Sequence, residues 1–150
     1  EDGTDRLFGR SGYDRLFGGA AGDRLSGGGG KDVLKGAAGD DRLMGGGGRD
    51  RLLGGAGDDQ LDGGKGRDRL EGGAGADVFV FARNHGRDRI RDFTPGEDLI
   101  DFSDLPGRGF GFGDLEISRR PAGTLIDAGA GHLLLEDLRP GQIDADDFLF

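Results

Sequence analysis

The chain has 150 residues, 35 of them glycine, with 33% hydrophobic residues and a formal net charge of −9 from 20 Lys and Arg against 29 Asp and Glu. The absence of cysteine excludes disulfides and thiolate metal sites, and the acidity argues against nucleic acid and for a cation as partner. No apolar run is long enough for a membrane-spanning helix, no charged-then-apolar signal peptide is present, and membrane insertion is not expected.

Such a composition by itself describes a linker, yet residues 5 to 79 keep a strict beat of nine. Aspartate returns at Asp5, Asp14, Asp23, Asp32, Asp41, Asp50, Asp59, Asp68 and Asp77. A large apolar residue follows two positions later, from Leu7 through Leu16, Leu25, Leu34, Leu43, Leu52, Leu61 and Leu70 to Phe79. Glycines precede each aspartate, so the unit is G-G-x-G-x-D-x-U-x, with U apolar. Its glycine-rich six residues form a tight turn, because glycine adopts positive φ and admits close backbone approach. The last three residues form a minimal strand with U on one face. Alternating turn and strand gives a flattened right-handed coil with two repeats per turn, an all-β parallel β-roll in which residues eighteen apart stack. One edge then carries Asp5, Asp23, Asp41, Asp59 and Asp77, and the other Asp14, Asp32, Asp50 and Asp68.

Stacked carboxylates repel unless a cation lies between them. Two aspartates and about four turn carbonyls supply roughly six hard oxygens, a set that suits Ca²⁺ better than Mg²⁺ or soft metals. The expected carbonyl donors lie in the turn glycines. They are Gly18, Gly19, Gly27, Gly28, Gly30, Gly36, Gly39, Gly45, Gly46 and Gly48, then Gly54, Gly55, Gly57, Gly63, Gly64, Gly66, Gly72, Gly73 and Gly75.

The run "GGGGRDRLLGGAGDDQLDGGKGRDRLEGG", residues 45 to 73, resembles the nonapeptide array of the RTX (repeats-in-toxin) family, a calcium-binding β-helix repeat. The resemblance spans residues 1 to about 90. It implies a parallel β-roll with Ca²⁺ in its turns and export by a type I secretion system; the stacked aspartates give about eight sites, hence about eight ions. Departures are few: Arg10 and Ala37 replace the second glycine, and Ala21-Gly22 inverts the usual order. Gly86 to Ile90 fits a degenerate last repeat. Asp88 there either closes a final site against Asp68 or is a loop aspartate.

Beyond residue 90 glycine thins out. Thr94-Pro95-Gly96-Glu97 reads as a turn between strands, and "LEIS", "GTLIDAG" and "HLLLEDL" read as further strands. "GADVFVF", "IRDF", "PGEDLIDFSDL" and "DADDFLF" resemble the C-terminal flanking domain of serralysin-type exported proteins. The expected division is therefore a β-roll over residues 1–90 and, over residues 91–150, a small β-rich cap carrying the type I secretion signal. The ending Asp147-Phe148-Leu149-Phe150 fits that signal and fits equally a final strand.

Glu1 falls in mid-repeat, so a longer parent is expected, an enzyme domain among the options for the missing part. Phe8 and Phe17 either packed on that part or are exposed. No catalytic constellation is legible: "GGGGKD" lacks phosphate-loop spacing, no His-Glu-x-x-His zinc motif exists, and Ser103 and Ser118 lack a base. His85 and His132 read as structural. The module is expected to be a non-enzymatic, monomeric, secreted bacterial protein that folds on meeting extracellular Ca²⁺ and serves a type I secretion apparatus. The alternative is a module that binds an acidic polysaccharide, as similar modules of alginate-modifying epimerases do. The outward Arg6, Arg15, Arg24, Arg42, Arg51 and Arg69 are its candidate face, or else a solvated one.

Overall fold

A computed structural model of the chain describes residues 2–105, 111–129 and 131–150. Each nonapeptide contributes one strand. In chain order these are β1 (Arg6–Gly12), β2 (Arg15–Gly19), β3 (Arg24–Gly30), β4 (Val33–Ala38), β5 (Arg42–Gly48), β6 (Arg51–Ala56), β7 (Gln60–Gly66), β8 (Arg69–Ala74) and β9 (Val78–Val80). The segment that follows adds β10 (Gly86–Ile90), β11 (Leu99–Asp101), β12 (Glu116–Arg120), β13 (Gly123–Asp127), β14 (Gly131–Glu136) and β15 (Phe148–Leu149).

Odd and even repeats separate onto two faces of a parallel β-solenoid. Pairing is parallel at an offset of two repeats, so Leu7, Leu25, Leu43, Leu61 and Phe79 stack on one face. Leu16, Leu34, Leu52 and Leu70 stack on the other. The U side chains point inward from both faces. From Leu25 onward those of both ladders are buried, while Leu7 and Leu16 at the first layer are only partly covered.

The solenoid does not stop at residue 90. Phe79 is followed in register by Ile100 of β11 and then Phe148 of β15. Leu70 is followed by Ile90 of β10 and Leu135 of β14. β14 then pairs antiparallel with β13, and β13 with β12, so a meander hangs on the last even layer. Aromatic side chains fill the interior here: Phe81 and Phe102 lie 5.8 Å apart, and Phe102 stacks on Phe148 at 6.1 Å. All these residues form one hydrophobic cluster with the Leu ladders.

Strands β1 to β8 of the array are five to seven residues long, not three, and only β9 keeps the minimal length. The extra length is the glycine run. Arg10, Gly28, Gly46 and Gly64 lie in register across successive layers, so ladder bonding continues round the corner. That corner needs backbone to sit directly on backbone. At Gly48, with φ 143°, an added Cβ would run into the carbonyl oxygen of Gly30, whereas at Gly47 it would meet nothing within 4 Å. Gly48→Ala should therefore cost about 2 kcal/mol or more of the folded protein's stability, and Gly47→Ala within about 0.5 kcal/mol. Denaturant titration of the calcium-saturated variants measures the difference.

Candidate metal centre

Each repeat aspartate stands just before its strand, at the foot of the turn, and its two oxygens have different fates. From Asp23 onward one is fixed by the backbone of the layer before. The N–H of Asp5 donates to Oδ1 of Asp23 (2.7 Å), that of Asp23 to Asp41 (2.7 Å), Asp41 to Asp59 (2.8 Å) and Asp59 to Asp77 (3.0 Å). On the other edge the N–H groups of Asp14, Asp32 and Asp50 donate to Asp32, Asp50 and Asp68, each at 2.8 Å. The files stack as the nine-residue beat requires.

The other oxygen is orphaned. Oδ2 of Asp14, Asp23, Asp32, Asp41, Asp50, Asp59, Asp68 and Asp77 is buried without a hydrogen-bond partner. A buried carboxylate oxygen with no donor is costly, and a native fold does not keep eight of them in two straight files without reason. Their surroundings give the reason. A Cβ on Gly45 would stand 2.7 Å from both Oδ2 of Asp50 and the carbonyl oxygen of Gly63 in the next layer. Gly18, Gly27, Gly36 and Gly54 repeat this arrangement with Asp23, Asp32, Asp41 and Asp59 and with the carbonyls of Gly36, Gly45, Gly54 and Gly72. Carboxylate and main-chain oxygens thus converge on a space that any larger residue would fill. Among the described residues no three acidic or histidine side chains are placed to hold a metal ion by themselves. The donor set is one carboxylate per turn with backbone oxygens, and hard oxygens of this kind fit Ca²⁺.

The turn glycines divide by role. Carbonyls at the first position, such as those of Gly36, Gly45 and Gly63, face the orphaned oxygens. On the even edge the fourth-position carbonyls of Gly30 and Gly48 accept the N–H of Arg49 and Arg67 at 3.3 Å. Gly28, Gly46 and Gly64 are needed because a carbonyl of the preceding layer presses on each.

Sequence reasoning missed Asp98. It is buried, and its Oδ1 accepts the N–H of Asp77 at 3.0 Å, so the odd file runs one layer further. The signal was the D-x-U spacing of Asp98 and Ile100, the same as that of Asp77 and Phe79. Asp88 does continue the even file, accepting the N–H of Asp68 at 2.9 Å, but its Oδ2 lies 2.9 Å from Nδ1 of His85. Also unanticipated is a row of cations on the even edge, where Lys31, Arg49, Arg67 and Arg87 precede the aspartates. The odd edge has Asp40 and Asp58 there instead, and these carboxylates accept the N–H of Asp58 and Ala76. Phe8 and Phe17 are exposed.

The chain belongs to the RTX family. The family described as RTX calcium-binding nonapeptide repeat (4 copies) matches residues 1–34, 17–52 and 44–79. Among individual proteins, mannuronan C5-epimerase AlgE2 of Azotobacter vinelandii is 44% identical over 78 residues, covering 44% of this chain and 8% of the epimerase. The chain thus spans under a tenth of that relative's length. The solution structure of the AlgE6R3 subunit from an A. vinelandii mannuronan C5-epimerase is 33% identical, with a TM-score of 0.58 over 95% of this chain and 80% of that one. The AlgE6R2 subunit gives 30%, 0.51, 94% and 91%. Extracellular lipase LipA from Serratia marcescens, at 15% identity and TM-score 0.61 over 99% of this chain and 39% of the lipase, shares the fold.

Burial sets the electrostatics of the files. It lifts the carboxyls of Asp59 and Asp68 from 3.8 to about 7 and that of Asp77 to about 6; the N–H bonds at Oδ1 pull the other way, and neighbouring aspartates push further up. Asp41, Asp50 and Asp98 are raised for the same leading reason. The unfolded chain gives up these protons near 3.8, whereas the metal-free fold keeps them to about 6 or 7. The metal-free fold therefore gains stability as pH falls through 7 and 6 and loses it as pH rises. In chelator, the β-sheet circular dichroism signal should be larger at pH 5 than at pH 8. The reverse order would contradict the assignment of these carboxyls as the destabilising groups.

Proposed function

We propose that the chain is the calcium-dependent folding module of a larger exported protein. In this reading residues 1–90 hold the ions, and residues 91–150 cap the solenoid and carry the type I export signal. The ligands are Oδ2 of Asp14, Asp23, Asp32, Asp41, Asp50, Asp59, Asp68 and Asp77 with first-position carbonyls such as those of Gly36, Gly45, Gly54, Gly63 and Gly72. The carrying observation is the eight buried carboxylate oxygens without a donor. A bound divalent cation supplies the positive charge that these files lack. The aspartates hold their places by accepting the backbone N–H of the layer before, and the glycines let the next layer's carbonyls close in. Each site at tenfold its dissociation constant adds about 1.4 kcal/mol to the fold. Extracellular modules saturate at about 0.1–1 mM calcium, far above cytosolic levels, so the chain passes an export channel unfolded and orders outside.

In EDTA at neutral pH the chain should show a disordered circular dichroism spectrum, and millimolar Ca²⁺ should convert it cooperatively to β-sheet, with Mg²⁺ doing little. A well-folded chelated form would refute the reading. Asp41→Ala, in mid-file, should raise the calcium midpoint more than Asp5→Ala at the half-buried end.

A second reading, binding of an acidic polysaccharide, is favoured by the even edge. Lys31, Arg49, Arg67 and Arg87 run beside Arg51, Arg69 and Arg89 there, along a surface groove. The similarity to mannuronan epimerase modules points the same way. In saturating calcium, mannuronan oligomers should bind the wild type and lose affinity several-fold for Arg67→Ala/Arg69→Ala. Equal binding, or none, leaves the row a solvated face.

A further inference from the structure

Both files of aspartates end on a residue whose second oxygen the chain itself satisfies. Asp88 accepts the N–H of Asp68 through Oδ1 as its predecessors do, but Nδ1 of His85 lies 2.9 Å from its Oδ2. With Asp88 ionised, Oδ2 can only accept, so Nδ1 carries the proton and Nε2 is left buried without a hydrogen-bond partner. Asp98 accepts the N–H of Asp77 at 3.0 Å through Oδ1 and the N–H of Thr94 at 2.8 Å through Oδ2. In the layers before, no protein donor reaches the equivalent oxygens.

His85 holds the third repeat position, where the even turns before it carry Ser11, Gly29, Gly47 and Lys65 in register. Ser11 and Lys65 are exposed. The imidazole instead turns inward and is 3% exposed. It packs edge-on against Phe81 at 5.0 Å and reaches the β14 layer, where a Cβ on Gly131 would stand 2.7 Å from its Nε2. The ring therefore lies between the turn of Asp88 and the next layer, the level at which carboxylate and carbonyl oxygens converge in the earlier turns.

We propose that His85 terminates the even cation file: its imidazole N–H takes the carboxylate oxygen that the earlier turns leave for a metal ion, so Asp88 is a structural carboxylate and not a calcium ligand. Thr94 does the same for Asp98 on the odd edge. This inference rests on calcium occupying the earlier turns. Its consequence is a last layer, set against Phe81 and Phe102, that orders without calcium and offers a template to the layers that need it.

The test counts bound calcium on the full chain at saturation, by equilibrium dialysis and atomic emission. Asp88→Asn should bind as many ions as the wild type, whereas Asp50→Asn should bind fewer. His85→Ala, which frees Oδ2 of Asp88, should bind one more. Loss of an ion in Asp88→Asn, or no gain in His85→Ala, would overturn the proposal. Should either variant fail to fold, nuclear magnetic resonance of the calcium-saturated wild type decides. A hydrogen-bonded Nδ1 proton of His85, protected from exchange, supports termination; a freely exchanging one overturns it. A wild type that binds no calcium refutes instead the proposed function, which keeps the two failures apart.

Discussion

Like charges stacked at strand spacing are the constraint on which this fold depends. Layers of a parallel sheet lie about 4.8 Å apart, and the nine-residue beat puts one aspartate at the same place in every layer on each edge. At that separation, out of water, two carboxylates repel by several kcal/mol. The backbone answers half of the problem, because each carboxylate from Asp23 onward accepts an N–H from the layer before. The remaining oxygens are aimed at one another's carbonyls across a glycine, and only positive charge or protons relieve them. Under the proposed function the same fold is weak without a cation and strong with one.

Glycine serves that arrangement in two separate ways. At the first position it leaves room for the converging oxygens, as Gly45 does beside Asp50 and Gly63. At the fourth it lets one turn lie flat on another, as Gly48 does over Gly30. A composition that by itself reads as a linker is therefore the composition of a corner repeated many times. The Leu ladders hold the two faces together, but the corners decide whether the layers stack.

The array was legible in the sequence because every layer repeats the same local rule. A fixed spacing of Asp and Leu dictates which residues stack, and the register Leu7, Leu25, Leu43 and Leu61 follows directly. What lay beyond residue 80 was legible only in pieces. Stacked partners Phe79 and Ile100, and Ile90 and Leu135, are separated in sequence by more than the eighteen residues of the array, so the beat is lost although the layers continue. Asp98 was overlooked for that reason. The part played by His85 was invisible for another: nothing in a one-dimensional pattern tells whether a third-position side chain turns outward, like Lys65, or inward.

The cap end and the array thus differ in what satisfies their acidic groups. The array leaves its second carboxylate oxygens without a protein donor, and the last aspartate of each file is met by His85 or Thr94 from the chain itself. The most direct measurement is a crystal structure of the calcium-loaded chain with anomalous diffraction at long wavelength. It should show anomalous peaks in two files, each peak about 2.3–2.6 Å from an Oδ2 of the series Asp14 to Asp77 and from the facing glycine carbonyl. Files of aspartates with no peak beside them, or peaks bound elsewhere on the surface, would contradict the claim that the orphaned oxygens are cation ligands.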